Sequence, residues 1–249
     1  MTPRFSTTRT ISTRSLPARW LGSWLGMVAL ALALVLPLGT GSVRAAPSPA
    51  AASAAGTTHV YLLRGVLNIF SLGLDDIAAK LDSQGIPNTV ANFVSWSSLA
   101  DEAATAYKAG RIKTIILVGH SSGATALPDM INKLGQLGVP VKLAIGLDSV
   151  FKTKLVGGNA ERYINFYIAN GNGEPVRRDD GFHGKLENVD VGSAVPGVGH
   201  ITIEKNQIMQ QKVIGAIDGV VFGGRGRQPA GPPTRMAAPQ RAASATGYR

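Results

Sequence analysis

Residues 113–123 constrain the fold more than any other stretch, because an apolar run passes directly into a serine flanked by glycines. The run Thr-Ile-Ile-Leu-Val is followed by Gly-His-Ser-Ser-Gly, and such a short β-branched segment is typical of a strand buried in a parallel sheet. Beyond the motif, apolar residues recur at the spacing of one helix face: Leu127, Met130, Ile131 and Leu134. Strand, turn and helix together predict a strained turn that exposes Ser121 as a nucleophile, with Gly119 and Gly123 allowing close packing.

The Gly-x-Ser-x-Gly pattern by itself is weak evidence, since glycine and serine are common in this chain. An ordinary strand-to-helix turn with an uninvolved serine is the alternative, and the flanking strand and helix favour the nucleophile. Pro128 lies inside the following helix and has no backbone N–H to donate, so we expect a kink or an early break there.

Both ends of the chain differ in composition from its middle. Residues 1–45 contain arginines but no acid, then an apolar run over residues 20–38, then Val-Arg-Ala ending at Ala45. This pattern predicts a secretory signal peptide cleaved after Ala45, and hence export to the periplasm or the extracellular space. An uncleaved inner-membrane anchor is the alternative, because about 19 apolar residues can span a bilayer. Pro37 and the Val-x-Ala site favour cleavage.

Residues 223–249 are rich in Pro, Gly, Ala and Arg without apolar periodicity, which predicts a disordered basic tail. The formal net charge is +10, but ten of the 25 Lys and Arg residues lie in the two ends, while all 15 acids lie between Asp75 and Asp218. The neutral middle argues against nucleic-acid binding and leaves only a weak contact of the tail with anionic surfaces. The chain has no cysteine, so its core must be stable without disulfides.

Between these ends, after a linker of small residues at 46–57, strands alternate with helical patterns. The predicted strands are 59–63, 89–94, 115–118, 141–147, 163–169 and 186–191, and the last predicted helix is 204–221. A helix over 74–81 stops at Gly85, and Ser98 with Asp101 predicts a capping box that opens another helix. The alternation predicts a single three-layer α/β domain at residues 58–222, with a mostly parallel sheet of about six strands.

A serine nucleophile needs a general base, and ligands of a parallel sheet bind at the carboxyl ends of its strands. His200 lies there, in Pro-Gly-Val-Gly-His between the last strand and the last helix, and is the favoured base. Of the other histidines, His59 opens a strand, and His120 lies inside the turn, which directs it away from the serine hydroxyl. His183 lies in a polar loop where it could contact substrate.

The base in turn needs an acid to orient it. Asp148 ends the fourth predicted strand directly after an apolar run and is favoured; the alternatives come later in the chain: Glu174, Asp179, Asp180 and Asp190. The order Ser121, Asp148, His200 is the order of one known type of serine triad. For the oxyanion, the predicted donors are the backbone N–H groups of Ser122, at the helix N-terminus, and Val66, in the turn after the first strand.

At these residues the chain resembles the α/β-hydrolase superfamily, in particular its small lidless esterases, lipases and thioesterases. The resemblance covers about residues 58–221 and implies Ser121 as nucleophile, His200 as base and Arg64-Gly65 as the oxyanion turn. It also implies that the strands lie in the order second, first, third, fourth, fifth, sixth. The chain departs from the family in having Arg64 where a histidine is usual, and in placing the acid after the fourth strand instead of the fifth.

The resemblance implies a secreted or periplasmic serine hydrolase that cleaves a carboxylic ester or thioester through an acyl-enzyme, without a cofactor. The sequence contains no His-x-His or His-Glu-x-x-His pair, so no such motif predicts a metal site. The short segment between the fourth and fifth strands leaves little room for a cap domain, and an envelope location favours a lipid-derived substrate. We expect a monomer. The alternatives are a non-catalytic envelope binding module on the same fold and an acyltransferase that uses the same acyl-enzyme.

Overall fold

The structure is a computed structural model that describes residues 48–66, 68–171 and 173–223. The predicted signal peptide at 1–45, and all but Gly223 of the predicted tail, lie outside the described residues. The helices α1 to α5 are Pro49–Gly56, Gly73–Asp82, Trp96–Lys108, Ser122–Gln136 and Gln207–Val221. The strands β1 to β6 are Thr58–Arg64, Asn88–Asn92, Thr114–His120, Leu143–Leu147, Arg162–Tyr167 and Lys185–Asp190. Short 3-10 helices cover Ile69–Ser71 and Phe93–Ser95.

The strands form one sheet in the order β2-β1-β3-β4-β5-β6, and every neighbouring pair is parallel. Both the predicted α/β class and the strand order implied by the resemblance are confirmed. β1 and β3 are neighbours, with Leu63 opposite Gly119, so the turns that follow these two strands lie side by side. The winding direction reverses at this pair, and such a reversal opens the crevice in which parallel sheets bind ligands.

Apolar side chains cover both faces of the sheet and give the fold its three layers. On one face, Leu62 and Ile116 pack with residues of α2 and α5. On the other face, Leu63 and Leu117 pack with residues of α3 and α4. Successive residues of a strand point to opposite faces, so each central strand contributes to both layers. The packed layers hold the strand ends that carry the site.

Where the sequence predicts a linker at 46–57, the structure has the helix α1. Ser48 caps this helix by accepting a hydrogen bond from the Ala51 N–H at 3.3 Å, and Pro49 occupies the first turn. Ala55 is buried in the apolar layer shared with β1 and α5. The linker prediction is therefore wrong over this part, because alanines are strong helix formers once a neighbouring surface covers one side of the helix.

Three helix predictions also need correction. α3 begins at Trp96, and the Ser98 hydroxyl donates to the Ser95 carbonyl at 3.0 Å from inside the first turn, so no capping box forms. α4 continues through Pro128 without the expected break, because its apolar face is buried along most of its length. α5 begins later than predicted, after Asn206, whose side chain accepts the N–H groups of the first turn.

Candidate active site

Ser121 lies between β3 and α4 with a strained backbone, at φ 58° and ψ −125°. A residue with a side chain holds such a conformation only where the surrounding structure enforces it. The Ser121 N–H donates to the Leu147 carbonyl at 3.0 Å. A Cβ on Gly119 would lie 2.5 Å from the Gly123 carbonyl, and one on Gly123 would lie 2.0 Å from the Leu63 carbonyl oxygen. The turn therefore has the strain and the close packing that the motif predicts.

The structure brings Ser121, His200 and Asp148 together at the carboxyl ends of the strands. His200 Nε2 lies 3.0 Å from Ser121 Oγ, and His200 Nδ1 lies 2.6 Å from Asp148 Oδ2. An ionised carboxylate only accepts hydrogen bonds, so Nδ1 carries the proton and Nε2 can accept the serine proton. A general base and the acid that orients it require this arrangement.

Asp148 is fully buried directly after β4, with φ of 47°. Its Oδ1 accepts the Ile168 N–H at 2.9 Å while Oδ2 faces His200, so both carboxylate oxygens have donors. The backbone of Gly173 packs closely against this carboxylate, since a Cβ added to Gly173 would lie 2.0 Å from Oδ1. These contacts fix the orientation of the carboxylate toward His200.

The alternative acids do not contact His200 within the part of the chain that the structure describes. The Asp179 and Asp190 carboxylates accept hydrogen bonds from backbone N–H groups nearby. Glu174 and Asp180 are exposed. Asp148 is thus the acid that the fold places beside the histidine.

A chain of hydrogen bonds connects the turn after β1 with the loop that carries His200. The Gly65 N–H donates to Ser71 Oγ at 3.0 Å, Ser71 Oγ lies 2.8 Å from His120 Nδ1, and His120 Nε2 lies 2.8 Å from the His200 carbonyl oxygen. A carbonyl only accepts, so Nε2 of His120 carries its proton and Nδ1 accepts from the Ser71 hydroxyl. Arg64 instead pairs with Asp75 of α2.

His120 is neutral in this arrangement. Burial lowers the pKa of His120 below its ordinary value, while the Glu204 carboxylate, with Oε2 at 3.8 Å from Nε2, acts in the opposite direction. The neutral ring can accept from Ser71 and donate to His200 at once. The sequence reasoning discounted His120 as a base and did not find Ser71, whose position 49 residues before His120 carries no local signal.

The two residues predicted to supply the oxyanion donors border the same cavity as Ser121. The cavity has a volume of about 380 Å³, and its lining is Val66, Ser121, Ser122, Val150, Phe151 and His200. Among the described residues, no acceptor takes a hydrogen bond from the N–H of Val66 or of Ser122. Gly65 lies close enough to the serine that a Cβ there would be 2.9 Å from Ser121 Cβ. Val66 and Ser122 therefore lie near Ser121, and their role as oxyanion donors stays a prediction.

The remaining predicted histidines lie elsewhere. His183 is exposed and borders a separate cavity with Phe182 and the acids Asp179 and Asp180, so the structure does not bring it to Ser121. His59 Nε2 lies 2.9 Å from Thr89 Oγ1, which is a contact between β1 and β2. The described residues contain no group of three or more histidines and acids that could hold a metal ion. In the same residues, no helix has the length and apolar character to cross a membrane.

Comparison with protein-family models and with curated proteins finds no match. Among solved structures, a type II thioesterase from the borrelidin biosynthetic cluster is 11% identical, with 67% of this chain and 92% of that chain covered and a TM-score of 0.48. Human thioesterase 2 is 11% identical, covers 67% and 96%, and has a TM-score of 0.45. A putative α/β-superfamily hydrolase from Xanthomonas campestris is 14% identical, covers 65% and 98%, and has a TM-score of 0.39.

Similarities this distant assign no activity to the chain. Its fold is evident from its own geometry: a parallel sheet in the order β2-β1-β3-β4-β5-β6, with a serine at positive φ between β3 and α4. The chain has an α/β-hydrolase-like fold.

Proposed function

We propose that this chain is an exported serine hydrolase that cleaves a carboxylic ester or thioester through a covalent acyl-enzyme. The observation that carries the proposal is the continuous path from Ser121 Oγ through His200 to Asp148, at 3.0 and 2.6 Å, in a cavity that Val66 and Ser122 also border. Export rests on the composition of residues 1–45 alone.

In the proposed reaction, Ser121 Oγ attacks the substrate carbonyl carbon while His200 Nε2 takes the hydroxyl proton. Asp148 stabilises the resulting imidazolium through Nδ1–H. The N–H groups of Val66 and Ser122 stabilise the negative oxygen of the tetrahedral intermediate. Its collapse breaks the bond to the leaving group, which receives the proton from Nε2. Water then attacks the acyl-enzyme by the same steps and releases the carboxylic acid.

The test is hydrolysis of matched oxygen esters and thioesters of one short acid by the purified protein. Ser121→Ala and His200→Ala should each lower kcat on the order of a million-fold, because the serine and its base act as a unit. Ser98→Ala changes an exposed serine of α3 and is the matched control. A serine-directed fluorophosphonate should label the wild type and Ser98→Ala, but not Ser121→Ala.

The results separate the alternatives. A wild-type protein that hydrolyses no ester and is not labelled would exclude a serine enzyme and favour a binding module on this fold. A burst of acylation with slow turnover, accelerated by an added alcohol, would identify an acyltransferase. Steady hydrolysis that disappears in Ser121→Ala supports the proposal, and the ratio of ester to thioester rates then defines the leaving group.

A further inference from the structure

A second cavity of about 340 Å³ adjoins the cavity at Ser121. Its lining is Val66, Phe93, Trp96, Ser122, Thr125, Ala126, Asp129 and Phe151. Val66, Ser122 and Phe151 border both cavities, so the two are continuous at the proposed oxyanion donors. We call the second cavity the α4 groove, because α4 contributes half of its lining residues.

The position of the base decides which part of a substrate enters the α4 groove. His200 must give its proton to the leaving group, so the leaving group lies on the His200 side of the scissile bond. His200 borders the first cavity but not the α4 groove. The groove starts instead at Val66 and Ser122, on the side of the carbonyl oxygen. The acyl substituent of the substrate is therefore the part that points into it.

Most of the residues that line the groove are apolar, as binding of an acyl chain requires. Phe93 and Trp96 are half-buried and present aromatic surface, and Ala126 lies on α4. Two of the three polar side chains in the lining already have partners, and the third, Ser122, lies where the groove meets the cavity at Ser121. Thr125 Oγ1 donates to the Val150 carbonyl, and the Asp129 carboxylate pairs with Lys154. An apolar chain loses no hydrogen bond here, whereas a polar chain would find few groups to bind.

Phe151 is exposed and has a strained backbone in the free protein. The residue is 80% exposed, and its backbone φ is 62°. A bulky residue in the left-handed region is strained, and an exposed aromatic ring gains little from burial in the free protein. Phe151 borders both cavities, so a chain bound across them would cover part of its ring.

We infer that the α4 groove binds the apolar acyl chain of the substrate, with Phe93, Trp96 and Phe151 as its walls. This rests on the proposed function, and it specifies the substrate class as esters or thioesters of medium-length apolar acids. Asp129, which pairs with Lys154, borders the groove, and we expect its charge to limit the length of chain that is bound.

The first test compares kcat/KM for p-nitrophenyl acetate, butyrate, hexanoate, octanoate and decanoate with the full chain. Each added methylene that is buried should raise kcat/KM by about two- to four-fold, until the chain reaches Asp129. Trp96→Ala should lower the ratio of octanoate to acetate about ten-fold, as expected for an aromatic binding residue. Ile208→Ala, which removes an exposed apolar side chain of α5, should keep the ratio.

The second test measures binding without catalysis. The tryptophans of the chain are Trp20, Trp24 and Trp96, so Trp20→Phe and Trp24→Phe in Ser121→Ala leave Trp96 as the only fluorophore of its kind. Decanoate below its micelle concentration should shift the emission saturably, whereas acetate should not. This readout also covers the case in which Trp96→Ala fails to fold.

The two proposals fail in different ways. Hydrolysis of acetate with no dependence on chain length, together with a Trp96 emission that decanoate does not change, would overturn the groove and leave the hydrolase standing. Saturable decanoate binding without hydrolysis of any ester would support the groove and reject the enzyme.

Discussion

Replacing Asp148 by asparagine tests the proposed triad most directly, because the two substituents of the new amide have different partners. The amide oxygen should take the place of Oδ1, which accepts the Ile168 N–H at 2.9 Å. The NH₂ group then faces His200 Nδ1, which must accept from it and give up its own proton. His200 consequently carries its proton on Nε2, the atom that lies 3.0 Å from Ser121 Oγ, and cannot act as a base.

The opposite orientation of the amide would restore the active tautomer of His200, but it costs free energy. It would place the NH₂ group against the Ile168 N–H and leave both buried donors without an acceptor, at a cost of about 1–3 kcal/mol for each donor. We therefore expect Asp148→Asn to lower kcat by about a hundred- to ten-thousand-fold, the upper end being the loss caused by a wrong tautomer in a serine triad.

The assay is hydrolysis of a short ester at neutral pH, with circular dichroism to confirm the fold. Asp190→Asn is the matched control, because within the described residues this carboxylate accepts the Ala169 and Gly192 N–H groups and does not contact His200. Its kcat should stay within about two-fold of the wild type. A folded Asp148→Asn variant with more than about a tenth of the wild-type kcat would refute the role of Asp148, since one hydrogen bond alone could explain a loss that small.

Three further predictions concern the scaffold. Gly123→Ala should lower the free energy of unfolding in urea by about 3 kcal/mol or more, because its Cβ would lie 2.0 Å from the Leu63 carbonyl oxygen. Ser71→Ala should lower kcat about ten-fold with little change in KM, equivalent to about 1.4 kcal/mol in the transition state, because it releases the Gly65 turn. The free energy of unfolding should fall as the pH drops below about 6.5, because burial lowers the pKa of His120 in the folded state, so that the unfolded chain binds the proton first. His120→Asn should reduce this dependence of stability on pH.

Each of these has its own control and counter-result. Gly219→Ala, in α5 where no atom lies within 4 Å of the new Cβ, should raise stability by roughly 0.5–1 kcal/mol, and equal effects of the two glycine variants would contradict the packing argument. An unchanged kcat in Ser71→Ala would show that the turn is held by other contacts. A pH slope as steep in His120→Asn as in the wild type would assign the acid sensitivity to other groups.

The sequence was sufficient for the parts of the site that depend on local order. An apolar run, a glycine-flanked serine and a helical repeat predict the turn at Ser121, because each needs only neighbours along the chain. Asp148 and His200 could be placed at the carboxyl edge because each follows a predicted strand. The resemblance also implied the strand order, and with it the proximity of Gly65 to Ser121.

Other features have no local signal. The alanines of residues 49–56 are compatible with either a linker or a helix. The helix forms because the apolar layer buries Ala55 and so stabilises it. The hydrogen bond between Ser71 and His120 forms because the 3-10 helix after β1 packs against the end of β3. A single serine in a turn carries no sequence signal for a partner 49 residues away.

Local sequence thus determined which residues could do chemistry, since strand, turn and helix propensities act between neighbours along the chain. Only the tertiary structure decided which of them meet. The α4 groove shows this most clearly, because Phe93 follows β2, Phe151 follows β4 and Ala126 lies on α4. These elements converge because the sheet order places β1 and β3 between β2 and β4, and burial of both faces of the sheet stabilises that order.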